Sequence, residues 1–168
     1  MEQINKRLTD TQKDFLHDLS IHIDIPIYLY GSIHRLDYFP GKSDLDIVIF
    51  TDNESRTIQM LCNYLNIDKN EFRKCFYKLE STVVPGFKGT YKDNITDIEI
   101  AIYNNKHKTI VLDDNNRCGG LPIYITIILV IVKFFYYYLG IISKHIYKKV
   151  KIILMNPDME SRFIMLDS

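Results

Sequence analysis

The 168-residue chain carries no excess of either charge. Lys plus Arg and Asp plus Glu number 21 each, so no long-range field draws the whole molecule toward a polyanion. It is poor in cysteine: Cys62, Cys75 and Cys118 are an odd number without metal-ligand spacing, which excludes a disulfide framework and a Cys-based zinc site. The five histidines form no ligand cluster. Nothing at the N-terminus has the character of a signal peptide, so a reduced, intracellular and cytoplasmic setting is expected. No internal repeat, low-complexity stretch or long linker divides the sequence.

What is present is a hydrophobic content of 46%, enough for one well-buried core. Charge is also unevenly placed. Residues 1–116 hold 14 basic and 18 acidic side chains, whereas residues 117–168 hold 7 and 3. The C-terminal part is therefore the expected partner for phosphates.

Thr9 and Gln12 form a capping-box pattern ahead of Phe15, Leu16 and Leu19, which predicts a helix over residues 10–21. Short apolar runs over 25–30 and 44–50 read as strands, joined by a loop that contains Pro40-Gly41. Thr51-Asp52 is expected to cap a helix reaching residue 65, and Asp68 with Glu71 a second one through residue 79. Residues 87–92 and 95–103 read as a hairpin about Asp93-Asn94. A polar loop over 113–120 then precedes the apolar stretch 121–142, where Pro122 suits a first helical turn and Gly140 a break. Ser143 is placed to cap a last helix bearing Lys144, Lys148, Lys149 and Lys151, followed by a loose tail. The organisation expected is a core over 1–118, a helical segment over 119–156 packed on it, and a tail over 157–168.

Chemistry is concentrated at Asp44 and Asp46. An i, i+2 pair on a strand projects both carboxylates from one face while Leu45 and Ile47 turn into the core. Two carboxylates this close repel unless cations sit between them. Asp97 and Glu99 share a face of the second hairpin strand; Glu99, between Ile98 and Ile100, is the first choice for a third ligand or base, with Asp97 in reserve. Upstream, Gly31 allows close backbone approach and Ser32 offers a hydroxyl and an amide to phosphate oxygens. Ser43, beside Asp44, is a further phosphate candidate. Against these stand plainer readings: a solvated Asp-x-Asp pair, a strand-ending turn, and the wet face of an amphipathic edge strand.

The segment YGSIHRLDYFPGKSDLDIVIF, with Gly31-Ser32 eleven residues ahead of Asp44-Leu45-Asp46, resembles the signature of the DNA polymerase beta-like nucleotidyltransferase superfamily, and in detail that of nucleotidyltransferases from large DNA viruses. The stretch ILVIVKFFYYYLGIIS is similar to a helix of poly(A)-polymerase-like and oligoadenylate-synthetase-like enzymes, with Phe134, Phe135 and Tyr136 where a tryptophan is usual. The resemblance implies an α+β nucleotidyltransferase fold, a small mixed sheet backed by helices, with metals at one sheet edge and a short C-terminal helical extension. It implies two Mg²⁺ or Mn²⁺ ions on Asp44, Asp46 and Glu99, a nucleoside triphosphate with Lys133 reaching its phosphates, and transfer of a nucleotide to a hydroxyl on RNA, protein or a small molecule. The alternatives are a non-catalytic or regulatory relative and a membrane-anchored transferase, since 121–142 is long enough to cross a bilayer. Lys133 at its centre disfavours the span and favours a buried central helix.

Overall fold

A computed structural model describes residues 6–79, 82–93, 96–118, 122–155 and 163–165. Helix α1 (Asp10–Ile23) opens on the expected capping box, with the Thr9 side chain accepting from the Gln12 amide and the Gln12 side chain accepting from Thr9. Strand β1 (Ile27–Tyr30) leads through a 3-10 turn (Gly31–His34) and the loop over 35–43 into β2 (Leu45–Thr51). Helix α2 (Glu54–Leu65) follows, then β3 (Arg73–Lys78), β4 (Val83–Lys92) and β5 (Asp97–Asn104). Helices α3 (Lys108–Cys118), α4 (Ile123–Phe134) and α5 (Lys144–Met155) come next, and a short β6 (Phe163–Met165). The fold is α+β.

The strands form one mixed sheet in the order β1-β2-β5-β4-β3-β6, in which β2 and β5 are parallel and every other neighbouring pair is antiparallel. Alternation along β2 and β5 sends Leu45, Ile47, Ile49, Ile98, Ile100 and Ile102 to one face, where they pack with Leu19 and Ile23 of α1 and Ile58 and Leu61 of α2. Full burial of each such side chain contributes about 1.5–3 kcal/mol. The opposite face carries a second cluster at the far ends of the same strands, built from Val48, Phe50, Ala101 and Tyr103 with Val111 of α3.

Helix α2 is capped one residue later than expected: the Asn53 side chain accepts from the Arg56 amide at 3.0 Å. Thr51 instead accepts from the Asn53 amide and the Thr57 hydroxyl. An Asn53→Ala variant is expected to lose ~1 kcal/mol, read as a lower midpoint in denaturant unfolding.

Three expectations are corrected. Asp68 caps only a single 3-10 turn (Lys69–Glu71), and the helix expected through residue 79 is strand β3, because Cys75 and Tyr77 alternate inward and pair with β4. The polar loop expected from residue 113 is the second half of α3, anchored by Val111 in the aromatic cluster and by the Tyr77 hydroxyl donating to Asp114 at 2.6 Å. The apolar stretch is not one buried central helix. It divides into α4, a π turn (Phe135–Leu139) and Gly140 at φ +63°, and α4 buries only the stripe Thr126, Leu129 and Lys133. Among the described residues no helix is long and apolar enough to cross a membrane.

Candidate active site

The sheet register assembles the acidic residues. Tyr30 of β1 and Glu99 of β5 are both register partners of Asp46 on β2, so the three side chains stand in one row on the face away from α1 and α2. Both Asp46 and Glu99 lie on interior strands, at the ends of β2 and β5, where an edge position was expected. Glu99 is thus not on an edge strand, and its side chain is 29% exposed. Asp44 directly precedes β2, and Asp97 opens β5.

Asp46 is the electrostatic centre of this row. Burial pushes its carboxyl up to about 7, repulsion from Asp44 and Glu99 adds to the rise, and Lys151 of α5 and the Ser32 amide oppose it. Burial is thus the main burden on Asp46, with the neighbouring carboxylates adding to it. Glu99 is paired with Lys88 at 2.8 Å and accepts from the Tyr30 hydroxyl at 3.4 Å, while Asp97 pairs with Lys92 across the hairpin. Among the described residues no group of three acidic, His or Cys side chains forms a ready-made metal cage.

The Gly31-Ser32 turn folds directly onto Asp46. Gly31 has φ +72°, and a Cβ there would lie 2.0 Å from Asp46 Oδ2, so both conformation and space demand glycine. The Ser32 amide donates to the same oxygen at 3.4 Å. The Ser32 hydroxyl is buried and has no hydrogen-bond partner among the described residues, a costly state for a polar group unless a ligand completes it. A Gly31→Ala variant is expected to lose ~1–3 kcal/mol of stability and to displace the turn from Asp46, which calorimetric unfolding together with nucleotide binding would register.

Ser43 secures the loop that delivers Asp44. Its hydroxyl accepts from the Phe39 amide at 3.1 Å and its own amide donates to the Phe39 carbonyl at 2.9 Å. Lys133 is enclosed behind the loop that delivers Asp44. Its ammonium is buried, 2.9 Å from Asp37 Oδ2 and 2.8 Å from the Asp37 carbonyl, and Arg35 closes a three-membered ion cluster at 2.8 Å from Asp37 Oδ1. Burial raises the Asp37 carboxyl, but Arg35 and Lys133 outweigh it and hold the group below its usual range. Burial depresses the Lys133 ammonium, and Asp37 only partly restores it. Lys133 thus ties α4 to the loop over 35–43.

Residues that sequence reasoning missed now stand beside the expected ones: Asp37, which pairs with Arg35 in the buried cluster, and Lys88 on Glu99, while Lys151, expected only as part of a basic helix, acts on Asp46. The hairpin register contained the signal for one of them, because Lys88, Thr90 and Lys92 alternate onto the face that carries Asp97 and Glu99. The Arg35-Asp37-Lys133 cluster left no pattern to find.

Residues 10–85 match the family model of the nucleotidyltransferase domain. The match takes in α1, the Gly31-Ser32 turn and both Asp44 and Asp46, while Glu99 and Lys133 lie beyond it. The chain is similar to a structure of the Cid1 poly(U) polymerase with Mg 3'-dATP bound, at 19% identity and TM-score 0.42, over 89% of this chain and 51% of that one. It is similar to the GLD-2/RNP-8 complex at 17% identity and TM-score 0.39, over 87% and 56%. Likeness to terminal uridylyl transferase 4 from Trypanosoma brucei with bound UPU is 15% identity and TM-score 0.34, over 66% and 41%. The chain spans about half the length of the first two. No curated protein matches it.

Proposed function

We propose that this chain is a nucleotidyltransferase that moves a nucleoside monophosphate from a nucleoside triphosphate to an acceptor hydroxyl. The observation that carries the reading is the Gly31-Ser32 turn pressed on Asp46, with a buried hydroxyl lacking a partner among the described residues beside a row of mutually repelling carboxylates. A phosphate with its cations fits all three features: it accepts from Ser32, needs the close approach Gly31 allows, and relieves the charge on Asp46.

The donor set suits hard divalent ions, which take one or two carboxylates and complete their shell from substrate phosphates and water. Two Mg²⁺ or Mn²⁺ ions on Asp44 and Asp46, with Glu99 as third ligand, would supply activation of the acceptor hydroxyl and neutralisation of the leaving pyrophosphate. The acceptor oxygen forms a bond to the α-phosphorus, the bond from that phosphorus to the bridging oxygen breaks in line, and pyrophosphate leaves with that oxygen. The hydroxyl proton passes to a carboxylate of the row. Glu99 is favoured over Asp97 for this role by its register with Asp46. Lys151 neutralises phosphate charge, and Lys133 acts as a positioning residue through Asp37 and the loop that carries Ser43 and Asp44.

Release of pyrophosphate from each nucleoside triphosphate with Mg²⁺ or Mn²⁺ tests the reading, with short RNA, a mixed protein substrate and small polyols as separate acceptors. Metal-dependent release with any acceptor, lost in Asp44→Ala, supports it. The second reading is a non-catalytic binding relative, favoured by the lysines that already occupy both candidates for the third acid. It predicts metal-dependent nucleotide binding without pyrophosphate release in any mixture.

A further inference from the structure

Helix α4 turns an apolar face outward. Ile123, Tyr124, Ile127, Ile131 and Phe134 are all exposed, Ile123 by 70%, and at 100° per residue they cover rather more than a quarter of the circumference. The buried stripe of Thr126, Leu129 and Lys133 lies on the opposite side. A contiguous patch of this kind on a helix marks a surface that something covers. Helix α5 reaches the turn after α4 through Tyr147, which stacks on Tyr136 with centroids 4.6 Å apart. It exposes Lys144, Lys148 and Lys149, with Ile146 and Ile153 exposed among them. Residues 123–155 include five lysines and not one Asp or Glu.

That charge pattern selects the occupant. A second copy of the chain would set lysines against lysines with no carboxylate from these helices between them. An RNA would satisfy the lysines and leave the isoleucines of α4 in water. A bilayer bearing anionic headgroups satisfies both, since aliphatic and aromatic side chains on a convex helix enter the headgroup and acyl boundary while lysines meet the phosphates. Helix α4 has 12 residues, about 18 Å at 1.5 Å per residue, far short of a hydrocarbon core of about 30 Å. It would lie on a membrane and could not span it. We infer that α4 and α5 form an interfacial docking surface for an anionic lipid membrane. Its exposed residues, Lys144, Lys148 and Lys149 among them, are other than the Lys151 that acts on Asp46 from the same helix, and docking does not depend on the transfer reaction.

The test is co-sedimentation of the full chain with phosphatidylcholine vesicles, with and without phosphatidylserine, at low and high salt. Binding to the anionic vesicles that weakens with salt is expected. Combined Ile127→Asp and Ile131→Asp should abolish it, and both positions are exposed enough to leave the melting temperature near that of the parent. Combined Lys144→Glu, Lys148→Glu and Lys149→Glu should weaken it on the order of a hundredfold. No binding to anionic vesicles overturns the inference. So does binding that the isoleucine variant retains in full, or a stable dimer that excludes vesicles.

Discussion

An Asp46→Asn variant should melt above the unsubstituted protein at pH 8 without metal, and bind no nucleoside triphosphate. Well below pH 4 the Asp46 carboxyl is protonated in both folded and unfolded chains, so it contributes no difference there. As pH rises from 4 to 7 the unfolded chain releases this proton, whereas the folded chain, with the carboxyl held up to about 7, retains it. Stability therefore falls across that window, and above pH 7 the folded protein carries an ionised carboxylate that burial, Asp44 and Glu99 all oppose. Discounted for partial exposure, the burden is ~2 kcal/mol, equivalent to a rise of about 4–8 °C in the variant at pH 8 that shrinks toward zero at pH 4. Mg²⁺ should reverse the order by stabilising the parent protein and leaving the variant unchanged. Scanning calorimetry at both pH values, with and without Mg²⁺, measures this. A variant less stable than the parent at pH 8 would show that Asp46 is a structural anchor and not a strained ligand.

The second large effect lies behind the site. Replacing Lys133 by Met keeps the length of the apolar stem and removes the ammonium, which leaves Asp37 buried with Arg35 as its remaining cation. Breaking a buried pair from one side costs about 3–5 kcal/mol, because the abandoned charge has no water to return to. A drop of roughly 6–20 °C in Tm is expected. The same change frees α4 from the loop over 35–43, so nucleotide affinity should fall with stability even though Lys133 sits on Asp37. Asp37→Leu alone strands two buried cations, whereas combined with Lys133→Met it strands only Arg35, so the two losses should be less than additive, a coupling that a double-mutant cycle in urea would read. Independent, additive losses would mean that the two residues do not form one unit.

The parts of the molecule legible in its sequence are those governed by local rules. The capping box at Thr9 and Gln12 and the alternating apolar residues of β2 and β5 act through neighbours in the chain, and each appears where spacing put it. Asp46 and Glu99 likewise stand on one face through strand alternation and register, whereas Asp44 lies one residue ahead of β2, outside the strand expected to carry it. The Asp68-Glu71 signal misled because a cap declares only the first turn, and pairing of Cys75 and Tyr77 with β4 overrode it. Lys133 was the harder case. A lone cation in an apolar helix announces burial or function, and the choice depended on Asp37, 96 residues away in sequence and unmarked by any motif. The outer face of α4 was likewise unreadable, because apolar residues on every side of a helix describe a core helix and a docked surface helix equally well.

The most direct test of the account is a calorimetric titration of each nucleoside triphosphate, with Mg²⁺ and with Mn²⁺, into the full chain and into an Asp44→Ala, Asp46→Ala double variant. The account predicts metal-dependent binding of at least one nucleotide to the parent chain and none to a variant that is still folded. A folded parent chain that binds no nucleotide with either metal, or a double variant that binds as tightly as its parent, would contradict it.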